Sequence, residues 1–329
     1  MMRSLRSALL ALLWFPLLLA GPAYARPARF PPPDRELMVP VEGGRIYVRI
    51  NGRLDGPNPP IILAHGGPGA THAGLMDALE LADERAVILY DQLDSGRSDR
   101  PNNPANWRVG RFIDELEAVR AALGVNRWYV LGHSWGGTLA LEYGARRPAV
   151  LAGVVLASPL ISTRSWLADA NALIGKLPIA VQSNLKACDS PSPRATSVCE
   201  AATAQFYGEF LRREPKSAAS NAYTSPQDRG FNSTLYETMW GKTEFVSTGS
   251  LRSYDGEPLL TKLDGKRTLF IVGQYDEARP VTAAAFAERV SGSELAVVPG
   301  AAHGIFSDRP DESVGLVRAW LRRQDRSPR

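Results

Sequence analysis

Three features of this 329-residue sequence predict an α/β fold: a mostly parallel central sheet with helices on both faces and an inserted, mainly helical cap. Short apolar runs alternate with helix-length amphipathic segments, the pattern of parallel strands joined by crossover helices. The alternation stops between residues 161 and 256 and resumes at 267. Finally, the string GHSWGG at 132–137 directly follows the apolar run WYVL, a strand–turn–helix signature that projects a serine from a tight turn.

The elements follow in order. Residues 37–52 read as a hairpin turning at Gly43-Gly44. Residues 61–66 (IILAHG) and 85–92 (RAVILYDQ) are short buried strands, with a helix expected over 72–83 between them. Phe112, Leu116, Val119, Ala122 and Leu123 recur at helical spacing and place an amphipathic helix over 107–123. Residues 127–132 form the strand that enters the serine turn, and 138–147 continue the helix behind it. The next strand spans 151–159. Residues 161–256 have helical patches, many aromatics and polar loops without a strand rhythm, and read as a cap over the sheet edge where ligands bind. The core then resumes with a strand at 267–273, a helix at 281–290, the strand ELAVVPG and a helix at 311–322.

The expected organisation is therefore a signal peptide at 1–25, an extended lead-in at 26–37, core segments at 38–160 and 257–329, and the cap at 161–256. Arg3 and Arg6, a 13-residue apolar stretch at 8–20 and Ala23-Tyr24-Ala25 resemble an export signal. The apolar stretch falls short of the roughly 20 residues of a membrane span, so no stable membrane insertion is expected after cleavage near Arg26. The product would be periplasmic or secreted. The Pro-rich ARPARFPPPD stretch is expected to be extended and poorly ordered. Net charge is +4, falling to +2 without Arg3 and Arg6, too weak a bias to suggest a nucleic-acid partner. Cys188 and Cys199, 11 apart in a polar segment, are natural disulfide partners in an oxidising compartment. Oligomeric state is not encoded in any of these patterns.

A serine hydroxyl is a weak nucleophile at neutral pH and needs a base, which in turn needs an orienting carboxylate. Ser134 is the candidate nucleophile. Of four histidines, only His303 lies beyond the last strand, as the chain order nucleophile, acid, histidine requires. His133 adjoins the serine and should point away from it, His65 belongs to the HGGPG loop, and His72 has no matching carboxylate loop. Asp276, in the loop after the 267–273 strand, is the preferred acid, with Glu277 one position on as its rival. The backbone N–H groups of Trp135 and Gly67 are the expected oxyanion donors, since Pro68 has none. Asp91 precedes the serine and reads as a structural carboxylate bracing neighbouring loops. No metal or organic cofactor is required by this chemistry.

HGGPG at 65–69, YDQL-x-SGRSDRP at 90–101, GHSWGGTLALEY at 132–143, GQYDEARP at 273–280 and GAAHGIF at 300–306 together resemble the proline iminopeptidase family of the α/β-hydrolases. These are serine exopeptidases that remove an N-terminal residue, typically proline. The resemblance implies an α/β-hydrolase fold and that activity on small peptides through an acyl-enzyme. In the cap, MWGKTEF at 239–245 is similar to the family's Gly-Pro-x-Glu-Phe motif, which implies that Glu244 binds the substrate's free amine. For a second amine-binding glutamate, YGEFLRREP offers Glu209, preferred, and Glu214. The chain departs from the family at Lys242, where proline is common and a lysine would tend to neutralise Glu244, and at Asp94, where glycine is usual. An Asp tolerates a left-handed turn. The alternative is an exported esterase or amidase that uses the same three residues on small-molecule esters, lactones or amides.

Overall fold

The computed structural model describes residues 28–146, 149–190, 194–223 and 229–326. The expected signal peptide at 1–25 lies outside the described residues. Eight strands form one sheet: β1 (Arg35–Val41), β2 (Gly44–Asn51), β3 (Ile61–Ala64), β4 (Val87–Tyr90), β5 (Trp128–His133), β6 (Leu151–Ala157), β7 (Thr268–Gly273) and β8 (Glu294–Val298). Their spatial order is β1-β2-β4-β3-β5-β6-β7-β8. β2 runs antiparallel to both β1 and β4, and the remaining neighbours are parallel. The order reverses at β3, so the loops after β3 and β5 open side by side at the carboxyl edge, where such sheets place their ligands.

The α-helices are α1 (Val109–Leu123), α2 (Trp135–Arg146), α3 (Thr163–Ile174), α4 (Ile179–Cys188), α5 (Thr196–Phe210), α6 (Ala218–Ala222), α7 (Ser233–Met239), α8 (Pro280–Glu288), α9 (Ile305–Asp308) and α10 (Pro310–Arg326). Side chains alternate across the sheet with period two. Ile62, Ile88, Trp128 and Val130 pack with Phe112, Leu116 and Val119 of α1 and Leu139 of α2 on one face. Ile61, Leu89, Tyr129 and Leu131 pack with Val314, Val317 and Trp320 of α10 on the other. Both faces are covered, which is why the strands read as continuous apolar runs.

Between β6 and β7 the chain leaves the core, forms α3–α7, and returns beside its exit: Ser162 bridges Asp255, and the Gly256 N–H donates to the Ile161 carbonyl at 2.9 Å. The cap has its own small apolar cluster, in which Leu173, Leu177, Val181 and Leu185 surround Phe206 and Phe210. Cys188 and Cys199 are joined as expected.

The helix expected over 72–83 is present as a 3₁₀ helix, His72–Asp83, laid against the sheet and opening with a Thr71 cap. One local expectation is corrected. The lead-in is held rather than loose. Asn51 donates to the Pro32 carbonyl at 2.8 Å, Arg49 bonds the Pro31 carbonyl, and Asp34 exchanges bonds with Ile50 and Gly52. Prolines cannot form an internal ladder, but their carbonyls remain good acceptors for these buried donors.

Candidate active site

Ser134 sits between β5 and α2 with φ 58°, a left-handed conformation that L-residues rarely adopt. Three close approaches enforce this. A Cβ at Gly132 would collide with the Gly136 carbonyl, one at Gly136 would collide with the Ala64 carbonyl, and one at Gly66 would lie 3.0 Å from the Ser134 Cβ. Leu160 and Gly137 donate to the Ser134 carbonyl at 3.1 and 2.8 Å, and the Ser134 N–H reaches Ala157 at 3.0 Å. The turn is thus fixed from both sides.

The loops after β7 and β8 bring Asp276 and His303 together. His303 Nδ1 is 2.9 Å from Asp276 Oδ1. Asp276 also accepts from Ser158 Oγ at 2.5 Å and from the Gly273 and Ala278 N–H groups at 3.0 and 2.9 Å. With four donors around it the carboxylate is held in one orientation. The far nitrogen, Nε2, is left facing the other side of the ring.

The His133 ring meets that of His303 at a 47° tilt with centroids 4.7 Å apart, and its Nε2–H donates to the His303 carbonyl at 2.9 Å. Burial, with repulsion from His303, pushes its pKa down to about 4, so it braces the base loop as a neutral ring.

Of the two expected oxyanion donors, Trp135 is the first residue of α2, so its N–H belongs to the first-turn donors that the helical ladder leaves unused. Gly67, φ 106°, precedes the cis Gly67–Pro68 bond on the facing loop. Gln92 ties these pieces: Trp135 Nε1 donates to its Oε1 at 2.9 Å, its Nε2 donates to the His65 carbonyl at 2.9 Å, and its N–H reaches His65 Nε2 at 3.1 Å. His65 is pushed down to about 4 by burial, so a neutral ring can both donate to Gly66 and accept from Gln92.

Asp91 braces loops, as its position suggested. It accepts from the His72 and Arg97 N–H groups at 2.8 and 2.9 Å and from His72 Nδ1 at 2.8 Å. Burial opposes its ionisation, but the His72 ring and these bonds outweigh burial and hold it well below the usual carboxylate range. His72 therefore does have a carboxylate partner, and its Nε2 meets Tyr223 of the cap at 2.8 Å. Asp94 takes the left-handed turn at φ 68°, and its carboxylate bonds the Asn102 N–H at 2.7 Å and Trp107 Nε1 at 2.8 Å, contacts a glycine lacks.

The cap supplies Glu244 and Trp166. Trp166 Nε1 donates to the Glu244 carbonyl at 2.9 Å, and its ring meets His303 edge-on at 5.5 Å. Burial raises the Glu244 carboxyl, opposed by the nearby charge of His303 and by the Tyr236 hydroxyl. Lys242 is exposed and makes no ion pair with Glu244 among the described residues. Glu209 is not brought to the site: it is exposed on α5 and paired with Arg213 at 2.7 Å. Glu214 is likewise engaged elsewhere, with Arg309 at 2.7 Å.

The second buried carboxylate is Glu277. It is 1% exposed, its Oε1 lies 3.9 Å from His303 Nε2, and neither oxygen has a hydrogen-bond partner among the described residues. Burial, then the charges of Glu244 and Asp276, push its pKa well above the ordinary value. Asp276 and Glu277 flank one imidazole from opposite sides. The sequence offered one signal for this: a glutamate beside the orienting acid on a loop that must reach the base. Among the described residues, no three His, Cys, Asp or Glu side chains are placed to hold a metal ion.

The family with the alpha/beta hydrolase fold matches residues 59–310. With this fold and a serine on its elbow, the chain is a serine hydrolase of the α/β-hydrolase superfamily. It is 32% identical over 289 residues to a proline iminopeptidase of Heyndrickxia coagulans, spanning 87% of this chain and 98% of that protein. The crystal structure of a Mycobacterium smegmatis proline iminopeptidase superposes with a TM-score of 0.78 at 31% identity, covering 88% of this chain and 99% of the other. VinJ superposes with a TM-score of 0.80 at 31% identity, covering 89% and 100%. The chain belongs to the proline iminopeptidase family.

Proposed function

We propose that this enzyme is a serine exopeptidase that releases an N-terminal residue, preferably proline, from small peptides. The observation that carries this reading is the pair Glu244 and Glu277 beside His303, the latter buried with both oxygens unpartnered. Two neighbouring carboxylates in a desolvated site are poorly stable as a pair of anions, and an incoming cation relieves them. The secondary ammonium of an N-terminal proline carries two N–H donors, one for each carboxylate. An N-acylated proline is a tertiary amide with neither the charge nor any N–H donor.

In the reaction, His303 Nε2 takes the Ser134 proton as Oγ attacks the first carbonyl. Asp276 holds the Nδ1–H tautomer and stabilises the imidazolium. The N–H groups of Gly67 and Trp135 receive the oxyanion. His303 then protonates the leaving amine, and water resolves the acyl-enzyme by the same steps reversed.

The N-terminal 25 residues and the Cys188–Cys199 bond, which persists in oxidising compartments, support export to the periplasm or medium. No helix among the described residues is long and apolar enough to cross a membrane.

The test is steady-state kinetics on a free-amine prolyl arylamide, its N-acetyl twin and an aryl acetate, with Ser134→Ala as the blank. The reading requires strong turnover of the free amide, little of its twin, and a loss of at least about a thousandfold in Ser134→Ala with an unchanged Tm. Ester turnover with neither amide cleaved sinks it in favour of an esterase.

A further inference from the structure

One cap helix carries the backbone of the whole amine site. The Phe210 carbonyl, at the end of α5, accepts the N–H of Glu277 at 3.3 Å and of His303 at 3.1 Å. The next carbonyl, Leu211, accepts the Gly304 N–H at 2.9 Å. One turn earlier, the Tyr207 hydroxyl receives the Glu244 N–H at 3.3 Å. These carbonyls lie at the helix end, where the intrahelical ladder leaves acceptors free. Two core loops and one cap loop thus hang from the same terminus.

The other end of α5 has little to hold it. Its N-cap, Ala195, makes no side-chain cap bond, and only Ala202, Phe206 and Phe210 of its 15 residues are buried. Helices of this length are marginal by themselves. In its first turn stands Cys199, bonded to Cys188 at the last residue of α4. The covalent link does the fastening that the missing cap and thin apolar stripe do not.

We propose that the Cys188–Cys199 disulfide is a redox-dependent positioning element that fixes α5 and thereby holds Glu244 and Glu277 where they accept the substrate's amine. The proposal rests on the amine-binding reading above. His303 depends on α5 less than Glu277 does, because Asp276 and His133 also hold it, whereas the Glu277 carboxyl has no side-chain bond of its own. Opening the disulfide therefore weakens amine recognition before it weakens acyl transfer. The enzyme reaches full exopeptidase activity only where its thiols are oxidised.

The experiment compares the oxidised protein, the same protein reduced with a trialkylphosphine, and Cys188→Ser/Cys199→Ser, on the prolyl arylamide and the aryl acetate. In the reduction the S–S bond takes two electrons and two protons to give two thiols, and phosphine with water becomes phosphine oxide. The expected result is a KM for the prolyl arylamide raised roughly fivefold or more in both altered forms, with kcat/KM on the aryl acetate within about twofold. Reoxidation restores the reduced wild type and leaves the serine variant unchanged. Equal losses on both substrates, no change on either, or loss of far-UV circular dichroism in step with activity overturns the proposal, the last because the bond is then a general staple. If the oxidised enzyme cleaves the ester but never the prolyl arylamide, the exopeptidase reading itself has failed, and that arm alone reveals it.

Discussion

Glu277 and Asp276 are adjacent in sequence, yet they do opposite things because their surroundings differ. Asp276 is wrapped in donors that fix its orientation. Glu277 has none among the described residues, and burial with two acidic neighbours disfavours its charged form. An ammonium ligand reverses that preference, so amine binding requires Glu277 and Glu244 to ionise. Both carboxyls are raised, so the acid limb of kcat/KM should lie at higher pH for a free-amine substrate than for an aryl ester, which needs only neutral His303. In Glu277→Gln the two limbs should come together, while KM for the prolyl arylamide rises about tenfold or more and ester turnover changes little. A pH profile of both substrates on both proteins checks this; coincident limbs in the wild type would remove Glu277 from amine binding. Sequence spacing pointed to Asp276 and His303 correctly as neighbours in space. It preferred Glu209 to Glu214 for the second amine-binding carboxylate and weighed Glu277 only as a rival to Asp276, because a glutamate near a family-like string carries no mark of which way it faces.

At the scale of elements, the loop after β4 shows how one residue can hold a turn in two ways. Asp94 both adopts the left-handed backbone and accepts, through its carboxylate oxygens, the Asn102 N–H and the Trp107 Nε1–H. Asp94→Ala should destabilise the protein by about 3 kcal/mol, because it strands a buried indole N–H and leaves a Cβ in a strained turn. Asp94→Gly removes the strain but not the lost bonds, so its Tm should fall between wild type and the alanine variant. Equal Tm values for both variants would show that the backbone conformation carries no cost here. The strands and long helices were legible because burial on both faces writes continuous apolar runs and 3.6-residue periods. The 3₁₀ form of His72–Asp83 was not, since apolar spacing alone does not separate a tight helix from an α-helix over so short a segment.

For the molecule as a whole, cap and core share an apolar cluster, which Trp166, Leu235, Met239 and Trp240 of the cap join, and a few polar clasps fix how the two meet. Asn232 is the densest of these: its N–H donates to the Gly69 carbonyl at 2.9 Å, its amide donates to Asp94 and Asn102, and its Oδ1 caps α7 through Leu235. Asn232→Ala should cost about 1–2 kcal/mol through the lost cap alone. It should also make the cap more susceptible to limited proteolysis while the core stays protected. Cleavage that starts in the core instead would contradict a separable clasp. Tyr223 on His72 is a further tie of this kind, and it is not written in a local pattern.

The sequence by itself determined the sheet, the elbow at Ser134, the pairing of Asp276 with His303 and the bond between Cys188 and Cys199. Each of these follows from local residue chemistry, chain order or a short separation. Only the tertiary structure decided which glutamates share the site, that His133 and Trp166 brace the base, and that the end of α5 holds three of its backbone groups. Those outcomes depend on which faces are buried when distant segments pack. Desolvation and the absence of a partner, which set the chemistry of Glu277, exist only once that packing is complete.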